Sequence, residues 1–423
     1  MIEINNFKFN NIDFHMVKTD KYKTVTGIVS LVKPLNKEDF TYYSLLNRLI
    51  GSSSKNYPTK KELSNKMFEL YDCIAYMSTS YSYKTVNNLF VFQSVNDKYL
   101  NKKNVVKDCV NLLKEIMFNP LLTNEAFDEK NFYEEVRSLE NDIKNIYNNK
   151  KKYSFRKLME HMAPNDIISV STLGDLNILK EITPKSLYDF YLDILNNSWV
   201  NIGIIGDVSK EEVENYFNDF HINSCKYDDL HFFPSIVNFK DDVIEAKESQ
   251  DIVQAKLMIG FRFDIDYQSK YYIPLILFNA MYGGMFGSSL FMTIRERYSL
   301  TYDISSELII NKKLLLVSCG VDGKNVDKTS DLVIRELENY KTGNIDSKIL
   351  NIAKEFLIND LKEMEDSPFG SLSFQLENII NNRPSTNQII DKIKDVTIND
   401  IIEVSKLIKL DTIFTLLPGG NDE

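Results

Sequence analysis

A short internal repeat constrains the fold of this chain more than any other feature of its sequence. Residues 66–75, K-M-F-E-L-Y-D-C-I-A, can be laid on residues 293–302, T-I-R-E-R-Y-S-L-T-Y, so that Glu69 matches Glu296. Each segment has the pattern of a helix end that turns into a strand. A repeat of this kind predicts two related halves rather than one undivided core.

A second pair of matching segments follows in the same order. Residues 182–184, I-T-P, precede an amphipathic helix pattern and an apolar strand pattern, and residues 396–398, V-T-I, precede the same succession. Strands and helices in this arrangement predict an α+β fold with two homologous α/β-layered halves. We therefore predict an N-terminal domain of residues 1–225, a linker of residues 226–239 and a C-terminal domain of residues 240–423.

The composition excludes several classes of protein. The 423 residues include 50 basic and 60 acidic side chains, and a net charge of -10 argues against a general nucleic-acid binder, which needs a surplus of Lys and Arg. Residues 271–294 carry no charge, but Pro274 and several glycines interrupt them, so we predict a buried helix, a glycine-rich loop and no membrane span. Residues 1–20 lack a secretory signal and the four separated cysteines are typical of reduced thiols, which predicts a cytoplasmic protein.

Two long stretches of the chain carry a family resemblance. The first, residues 169–217, contains S-V-S-T-L-G-D-L, I-T-P-K-S-L-Y-D-F-Y and V-N-I-G-I-I-G-D-V-S-K-E-E-V. The second, residues 283–306, reads G-G-M-F-G-S-S-L-F-M-T-I-R-E-R-Y-S-L-T-Y-D-I-S-S. Both resemble the family of insulinase, pitrilysin and the mitochondrial processing peptidases. With residues 336–368 the resemblance covers nearly the whole chain, and it implies the insulinase-like metallopeptidase fold.

The same resemblance draws attention to a missing zinc site. Active members of the family bind zinc through H-x-x-E-H on an early helix and a glutamate further on. This chain has four histidines, no two closer than ten residues, and the corresponding segment 41–51 holds Tyr42, Leu45 and Leu46 at the ligand and base positions. Because leucine has no donor atom, the resemblance implies that this chain binds no metal and is inactive as a peptidase by itself.

Two other segments superficially offer metal ligands. Residues 157–161, K-L-M-E-H, repeat the motif with lysine in the first ligand position, so we expect no metal there. Glu134 and Glu135 lie near the place where the family keeps its distal glutamate. One carboxylate cannot hold zinc without the other ligands, and we expect both glutamates on a solvated helix face.

The other half of a peptidase site is retained. In the family, an arginine and a tyrosine seven residues apart grip the substrate backbone and polarise the scissile carbonyl, and Arg295 and Tyr302 have that spacing. A fixed guanidinium and a phenol can donate to an oxygen that gains charge in the transition state. The alternative is an ordinary helix-to-strand junction, and Arg297 is expected on the outer face. The predicted substrate-binding residues, where a peptide backbone can approach, are Gly283, Gly284, Gly287 and Ser288.

A chain with the carbonyl-binding residues and without the zinc ligands resembles one subunit of a divided peptidase. The family includes heterodimers in which one subunit brings zinc and the other brings the Arg and the Tyr. Residues 17–24 and 57–71 look like the non-zinc member of a paired set in low-GC Gram-positive bacteria, associated with elongation factor P modification. The resemblance implies a zinc-bearing homologue as partner and small peptides or peptide precursors as substrate. The alternative is a structural or binding subunit without proteolysis, for example an accessory protein in that modification.

Overall fold

The protein consists of two compact units. The computed structural model describes residues 4–82, 84–225, 237–381 and 383–419. The first unit takes its residues from 1–143, 171–232 and 364–382, and the second from 144–170, 233–363 and 383–423. The predicted domains, 1–225 and 240–423, are continuous, whereas the units are not. Residues 144–170 belong to the second unit and residues 364–382 to the first. Residues 226–236 of the predicted 226–239 linker lie outside the described residues, so the boundary between the halves stays a prediction.

The described residues form thirteen strands and fourteen α-helices. The strands are β1 (Ile4–Phe9), β2 (Ile12–Lys18), β3 (Thr24–Pro34), β4 (Ile74–Tyr81), β5 (Thr85–Val95), β6 (Leu122–Thr123), β7 (Ala126–Phe127), β8 (Trp199–Gly206), β9 (Ile244–Gln250), β10 (Ala255–Arg262), β11 (Thr301–Ile309), β12 (Leu314–Val321) and β13 (Lys409–Pro418). The helices are α1 (Asp39–Ile50), α2 (Lys60–Glu69), α3 (Val105–Phe118), α4 (Glu129–Asn145), α5 (Lys150–Met162), α6 (Leu176–Glu181), α7 (Pro184–Asn196), α8 (Lys210–Tyr216), α9 (Tyr272–Asn279), α10 (Val326–Thr342), α11 (Lys348–Met364), α12 (Pro368–Ile380), α13 (Thr386–Asp395) and α14 (Ile398–Lys406).

The main sheets of the two units share one topology. The first sheet has the order β1-β2-β8-β3-β5-β4, and the second has the order β11-β12-β10-β13-β9. Read from its other edge, the second sheet matches the first without β1. The β2–β8 and β9–β13 pairs are parallel, and all other pairs in both sheets are antiparallel. The predicted α+β fold is confirmed.

The turns that carry the sequence repeat are alike in backbone detail. Each follows a helix and leads into an edge strand, β4 in the first unit and β11 in the second. The aligned residues Asp72 and Ser299 are both left-handed, with φ of 54° and 51°. Both helix ends are closed by an amide that donates to the carbonyl six residues earlier. These bonds are Cys73 to Met67 at 3.2 Å and Leu300 to Ile294 at 3.0 Å.

Several helices begin where the sequence supplies a reciprocal cap. Thr183 and Thr397, the matched residues of the second repeat, each accept a hydrogen bond from the third residue of the helix that follows. The Ser209 cap of α8 is also formed, with Glu212 binding back to the Ser209 amide at 2.7 Å. Such caps satisfy amide groups that have no partner inside the helix.

Helix α12 covers the sheet of the first unit. Gly203 on β8 leaves the space that the helix needs, because a Cβ there would lie 3.1 Å from the Leu372 Cδ1 atom. The helix contributes three buried side chains to a core cluster with the strands. Its members are Val17, Tyr22, Ile28, Val32, Leu89, Val91, Ile205, Leu372, Leu376 and Ile380.

Helix α5 has the corresponding role in the second unit. It packs on β10 and β13. The Met162 Cε atom would lie 2.2 Å from a Cβ at Gly260, so a larger residue at this position would force the Met162 side chain to move. The predicted apolar helix before the glycine-rich loop is also present, since α9 buries five of its eight residues. None of the helices in the described ranges combines the length and the apolar character needed to cross a bilayer.

Buried His15 predicts an acid-sensitive first unit. Its ring nitrogens lie 2.8 Å from Asn6 Oδ1 and 3.1 Å from Asn201 Oδ1, and burial lowers the pKa of the imidazole below its ordinary value of 6.5. The unfolded chain therefore takes up this proton first, and the free energy of unfolding should fall as the pH drops below about 6.5. Urea unfolding between pH 5 and 8, roughly the range in which histidines titrate, measures this slope. His15→Gln should flatten it, and an unchanged slope would contradict the assignment.

Candidate functional site

Two π-helical segments of the second unit flank Gly287, and the first of them contains Gly283 and Gly284. They span Ala280–Gly284 and Phe291–Arg297, and the second carries Arg295. A π-helix adds a residue to each turn and shifts the side chains that follow, and such segments are frequent at functional sites. The apolar spacing predicts an ordinary helix in this region, because spacing alone does not distinguish a π-helical turn from an α-helical one.

Two of the predicted substrate-binding glycines are required by packing inside the unit. A Cβ at Gly283 would lie 2.7 Å from Ser306 Oγ, and a Cβ at Gly284 would lie 2.9 Å from the Asn279 carbonyl oxygen. Gly287 differs, because no atom lies within 4 Å of its Cβ position and its φ is +78°. Gly287 is therefore the glycine that leaves open space beside a left-handed turn.

Ser288, the fourth predicted substrate-binding residue, is fully buried. Its hydroxyl has no hydrogen-bond partner among the described residues, and its carbonyl accepts the Met292 amide at 2.9 Å. The segment around it is fixed to α10 by two side-chain bonds, from Ser289 to Tyr340 at 2.8 Å and from Tyr282 to the Val333 carbonyl at 2.8 Å. The segment from Tyr282 to Ser289 is thus fixed to α10 at both of its ends.

A bulge in an edge strand places Tyr302. The pairing of β11 with β12 shifts register between Thr301 and Ile304. The Thr301 hydroxyl donates to the Gly320 carbonyl at 2.5 Å and accepts a hydrogen bond from the Asp303 amide at 3.2 Å. These bonds give partners to backbone groups at the point where the strand pairing is interrupted. Tyr302 and Asp303 are both exposed, whereas a regular strand turns one of two successive side chains inward. Tyr302 is consequently 80% exposed.

The guanidinium of Arg295 lies between two aromatic rings. Its Cζ atom is 4.6 Å from the centroid of Phe291 and 4.8 Å from the centroid of Tyr302, and its Nε atom is 3.5 Å from Glu296 Oε1. Phe286, which is 84% exposed, extends this row with its ring centroid 4.5 Å from that of Phe291. Exposed cation–π contacts contribute about 0.5 to 1 kcal/mol each, so Arg295 is held beside Tyr302 before any ligand arrives.

The structure brings the predicted pair together. The Arg295 side chain is 33% exposed and Tyr302 projects into solvent beside it. A permanent cation next to a phenol can bind an oxygen that acquires negative charge. Arg297 is exposed and lies over Tyr298 instead, with 5.5 Å between its Cζ atom and that ring centroid. The supporting residues Phe286, Phe291 and Glu296 were not identified from the sequence, because their role depends on the π-helical turn.

The positions that correspond to a zinc motif lie on α1 in the first unit. Leu45 and Leu46 are completely buried in its core, and the Tyr42 ring packs on Phe190 with 4.9 Å between centroids. None of these side chains offers the imidazole or carboxylate that zinc requires, so the residues present do not fit a zinc ion. Within the described ranges, no group of three or more His, Cys, Asp or Glu side chains could hold a metal ion.

One expectation about the neighbouring glutamates is wrong. Glu134 is exposed, as expected, but Glu135 is 7% exposed and accepts from the Lys60 ammonium at 2.6 Å. Glu135 shares the buried face of α4 with Phe132, Leu139 and Ile143. Its charge is balanced by Lys60 at the edge of this face, which explains how a carboxylate is tolerated there.

The K-L-M-E-H segment on α5 is structural. Lys157 forms ion pairs with Glu248 at 3.0 Å and Glu160 at 3.4 Å, and the His161 ring stacks on Phe414 with 6.1 Å between centroids.

A separate cavity of about 860 Å³ in the first unit is lined by residues that include Phe118, Asn196, Phe220, His221 and Cys225, and by none of the predicted site residues. Neither feature bears on the Arg295 and Tyr302 pair.

Sequence comparison relates the chain to a peptidase family. Residues 181–357 match the model described as the peptidase M16 inactive domain. Three proteins of Bacillus subtilis strain 168 are similar to it. The probable inactive metalloprotease YmfF is 27% identical over 97% of this chain and 96% of its own length. The antilisterial bacteriocin subtilosin biosynthesis protein AlbE is 22% identical over 93% and 96%. The uncharacterized zinc protease YmxG is 23% identical over 70% and 72%.

Structural comparison agrees with the sequence matches. A conserved protein from Enterococcus faecalis V583 superposes with a TM-score of 0.90 at 29% identity, covering 97% of each chain. A peptidase M16 inactive domain from Pseudomonas fluorescens superposes with a TM-score of 0.79 at 14% identity, covering all of this chain and 99% of the other. The second likeness concerns the fold alone.

Proposed function

We propose that this chain, which matches the peptidase M16 inactive domain over residues 181–357 and is similar to a probable inactive metalloprotease, is the non-zinc subunit of a heterodimeric peptidase. Its partner is a zinc-bearing homologue. This chain contributes Arg295 and Tyr302, and the substrates are small peptides or peptide precursors.

One observation carries the proposal. The Arg295 guanidinium is held against the ring of Tyr302 at 4.8 Å, in a chain whose zinc-motif positions are two buried leucines and a packed tyrosine. A chain without any part in peptide binding has no need of an arginine held beside an exposed tyrosine at the start of an edge strand. The presence of Arg295 and Tyr302 without zinc ligands supports an active site that is divided between two chains.

The chemistry assigned to this chain is binding and charge stabilisation. The Arg295 guanidinium donates from a planar fork that suits a carbonyl or carboxylate oxygen, and the Tyr302 hydroxyl adds a second donor. Donors that are already in place cost no rearrangement when charge develops on the oxygen. The ion pair with Glu296 and the contact with Phe291 keep the guanidinium in position.

The substrate class is supported by the exposed edge strand and by the relatives. Tyr302 projects from β11, whose outer edge is unpaired in the second sheet. Peptides commonly bind to such an edge through main-chain hydrogen bonds. One relative is named as a bacteriocin biosynthesis protein and another as a zinc protease, which favours processing of a small peptide and a zinc-bearing partner.

Co-expression with a zinc-bearing homologue from the same genome tests the proposal. We expect a one-to-one complex in size-exclusion chromatography that contains one zinc and cleaves peptides in a chelator-sensitive manner. The isolated chain should contain no stoichiometric zinc and cleave nothing, because its motif positions hold two buried leucines and a tyrosine in place of two histidines and a glutamate. The two chains assayed separately are the control. A strictly monomeric chain beside a homologue that is fully active alone would contradict the proposal.

A further inference from the structure

Three basic side chains of the second unit converge on Tyr298, which follows the π-helical segment. The Lys328 Nζ atom lies 5.1 Å from the centroid of the ring, and the Arg297 Cζ atom lies 5.5 Å from it. Arg335 follows Lys328 by seven residues, two turns along the same face of α10. Lys328 and Arg335 come from α10, and both are exposed like Arg297. Two neighbouring elements therefore direct three positive charges to one point of the surface.

These three cations have no carboxylate partner, although their neighbours do. Basic residues of the same unit are paired, such as Lys324 with Asp322 at 3.3 Å and Lys341 with Glu338 at 2.9 Å. Within the described ranges, no ion pair joins Arg297, Lys328 or Arg335 to an acidic side chain. Three exposed cations are thus grouped around one aromatic ring without an ion-pair partner among the described side chains.

The acidic side chains nearest in sequence do not neutralise this cluster. Glu296 is paired with Arg295 at 3.5 Å, and Glu336 accepts the Thr293 hydroxyl at 3.2 Å. Asp331 is at helical spacing from Lys328 and Arg335 on α10, but it forms an ion pair with neither. The positive potential at the Tyr298 hydroxyl is therefore left for an external anion to balance.

We propose that Arg297, Lys328 and Arg335 form a binding site for an oxyanion, a phosphate or a carboxylate, beside the Tyr298 ring. Guanidinium groups bind both anions through paired hydrogen bonds, and an ammonium adds a point charge. The site is distinct from the Arg295 and Tyr302 pair, because Arg295 is engaged by Phe291, Tyr302 and Glu296. Exposed ion pairs contribute little each, so the dissociation constant for a small anion should be on the order of 1 mM.

Tyr298 provides a reporter inside the site. The nearby Arg335, Arg297 and Lys328 lower the pKa of its phenol, because they stabilise the phenolate. A bound anion cancels part of this effect, so the pKa of Tyr298 should rise and less tyrosinate should form at a fixed alkaline pH. The difference in ultraviolet absorbance between the wild type and Tyr298→Phe isolates this one tyrosine among 23.

The experiment titrates the full chain with inorganic phosphate and, separately, with succinate, at ionic strength held constant with KCl. We expect a saturable loss of tyrosinate absorbance for at least one of the two anions. The anion with the lower dissociation constant shows whether the site prefers a phosphate or a carboxylate. Arg335→Gln and Lys328→Gln should each weaken binding about tenfold, which corresponds to about 1.4 kcal/mol. Asp331→Asn should tighten it, and Lys324→Gln, which removes a paired lysine, should leave it unchanged.

Circular dichroism and thermal unfolding of all five variants test for a folding defect, and none is expected because Lys324, Lys328, Asp331 and Arg335 are exposed and Tyr298→Phe removes only a hydroxyl. Absence of a saturable response to both anions would overturn the proposal. Equal affinity of Arg335→Gln, Lys328→Gln and the wild type would overturn it as well. The readout needs no peptidase activity and no partner, so it fails or succeeds independently of the proposed function.

Discussion

Arg295→Ala and Tyr302→Phe, each assembled with the zinc-bearing partner, should lose most peptide cleavage while the complex and its zinc content persist. Loss of one donor already in place for a developing oxyanion typically lowers the rate about a hundred- to a thousandfold, or roughly 3 to 4 kcal/mol. Tyr302→Phe removes only a hydroxyl and keeps the ring that packs on Arg295 at 4.8 Å. The measurement is kcat/KM for a peptide that the wild-type complex cleaves.

Two further variants make this comparison specific. Arg297→Ala removes an arginine two residues away in the same π-helical segment and should cost less than Arg295→Ala, since Arg297 lies over Tyr298 and not over Tyr302. Arg156→Ala, which removes a surface arginine paired with Glu160 at 2.8 Å, should be neutral. Equal activity of Arg295→Ala, Tyr302→Phe and the wild-type complex would favour the structural-subunit alternative.

Leu372→Ala on α12 should destabilise the first unit by about 3 to 5 kcal/mol. Leu372 is 1% exposed, and its Cδ1 atom fits against Gly203 with no space for a Cβ at the normal contact distance. A strand and a packed helix cannot collapse far into the space that the lost side chain leaves, so most of the cavity should persist. Urea unfolding followed by the fluorescence of Trp199, the single tryptophan, measures this unit because Trp199 packs against the same cluster.

Phe68→Ala is the matched control for this experiment. Phe68 lies on α2 of the first unit with 73% of its surface exposed, so truncation should change the stability by no more than about 0.5 kcal/mol. If Leu372→Ala were as mild as Phe68→Ala, α12 would not be part of the first core. In that case the assignment of residues 364–382 to the first unit would have to be abandoned.

The features that sequence determined by itself are local. The cap of α7 at Thr183 and that of α14 at Thr397 depend on side chains within four residues, and the structure has both. The repeat predicted the same turn twice, and the left-handed Asp72 and Ser299 occupy equivalent places in it. The loss of zinc ligands could also be predicted, because Leu45 and Leu46 lack donor atoms in any conformation.

Tertiary structure alone decided which segments complete each core and how the candidate site is built. The spacing of apolar residues in α12 does not indicate that residues 364–382 pack on strands far earlier in the chain. An apolar helix face shows that the helix is buried on that side, but not which element covers it. The burial of Glu135 depends on Lys60 from another helix. The contact of Arg295 with Tyr302 involves a π-helical turn that is bonded to α10 and a β-bulge that is bonded to β12, and a pattern of residue types does not encode these long-range contacts.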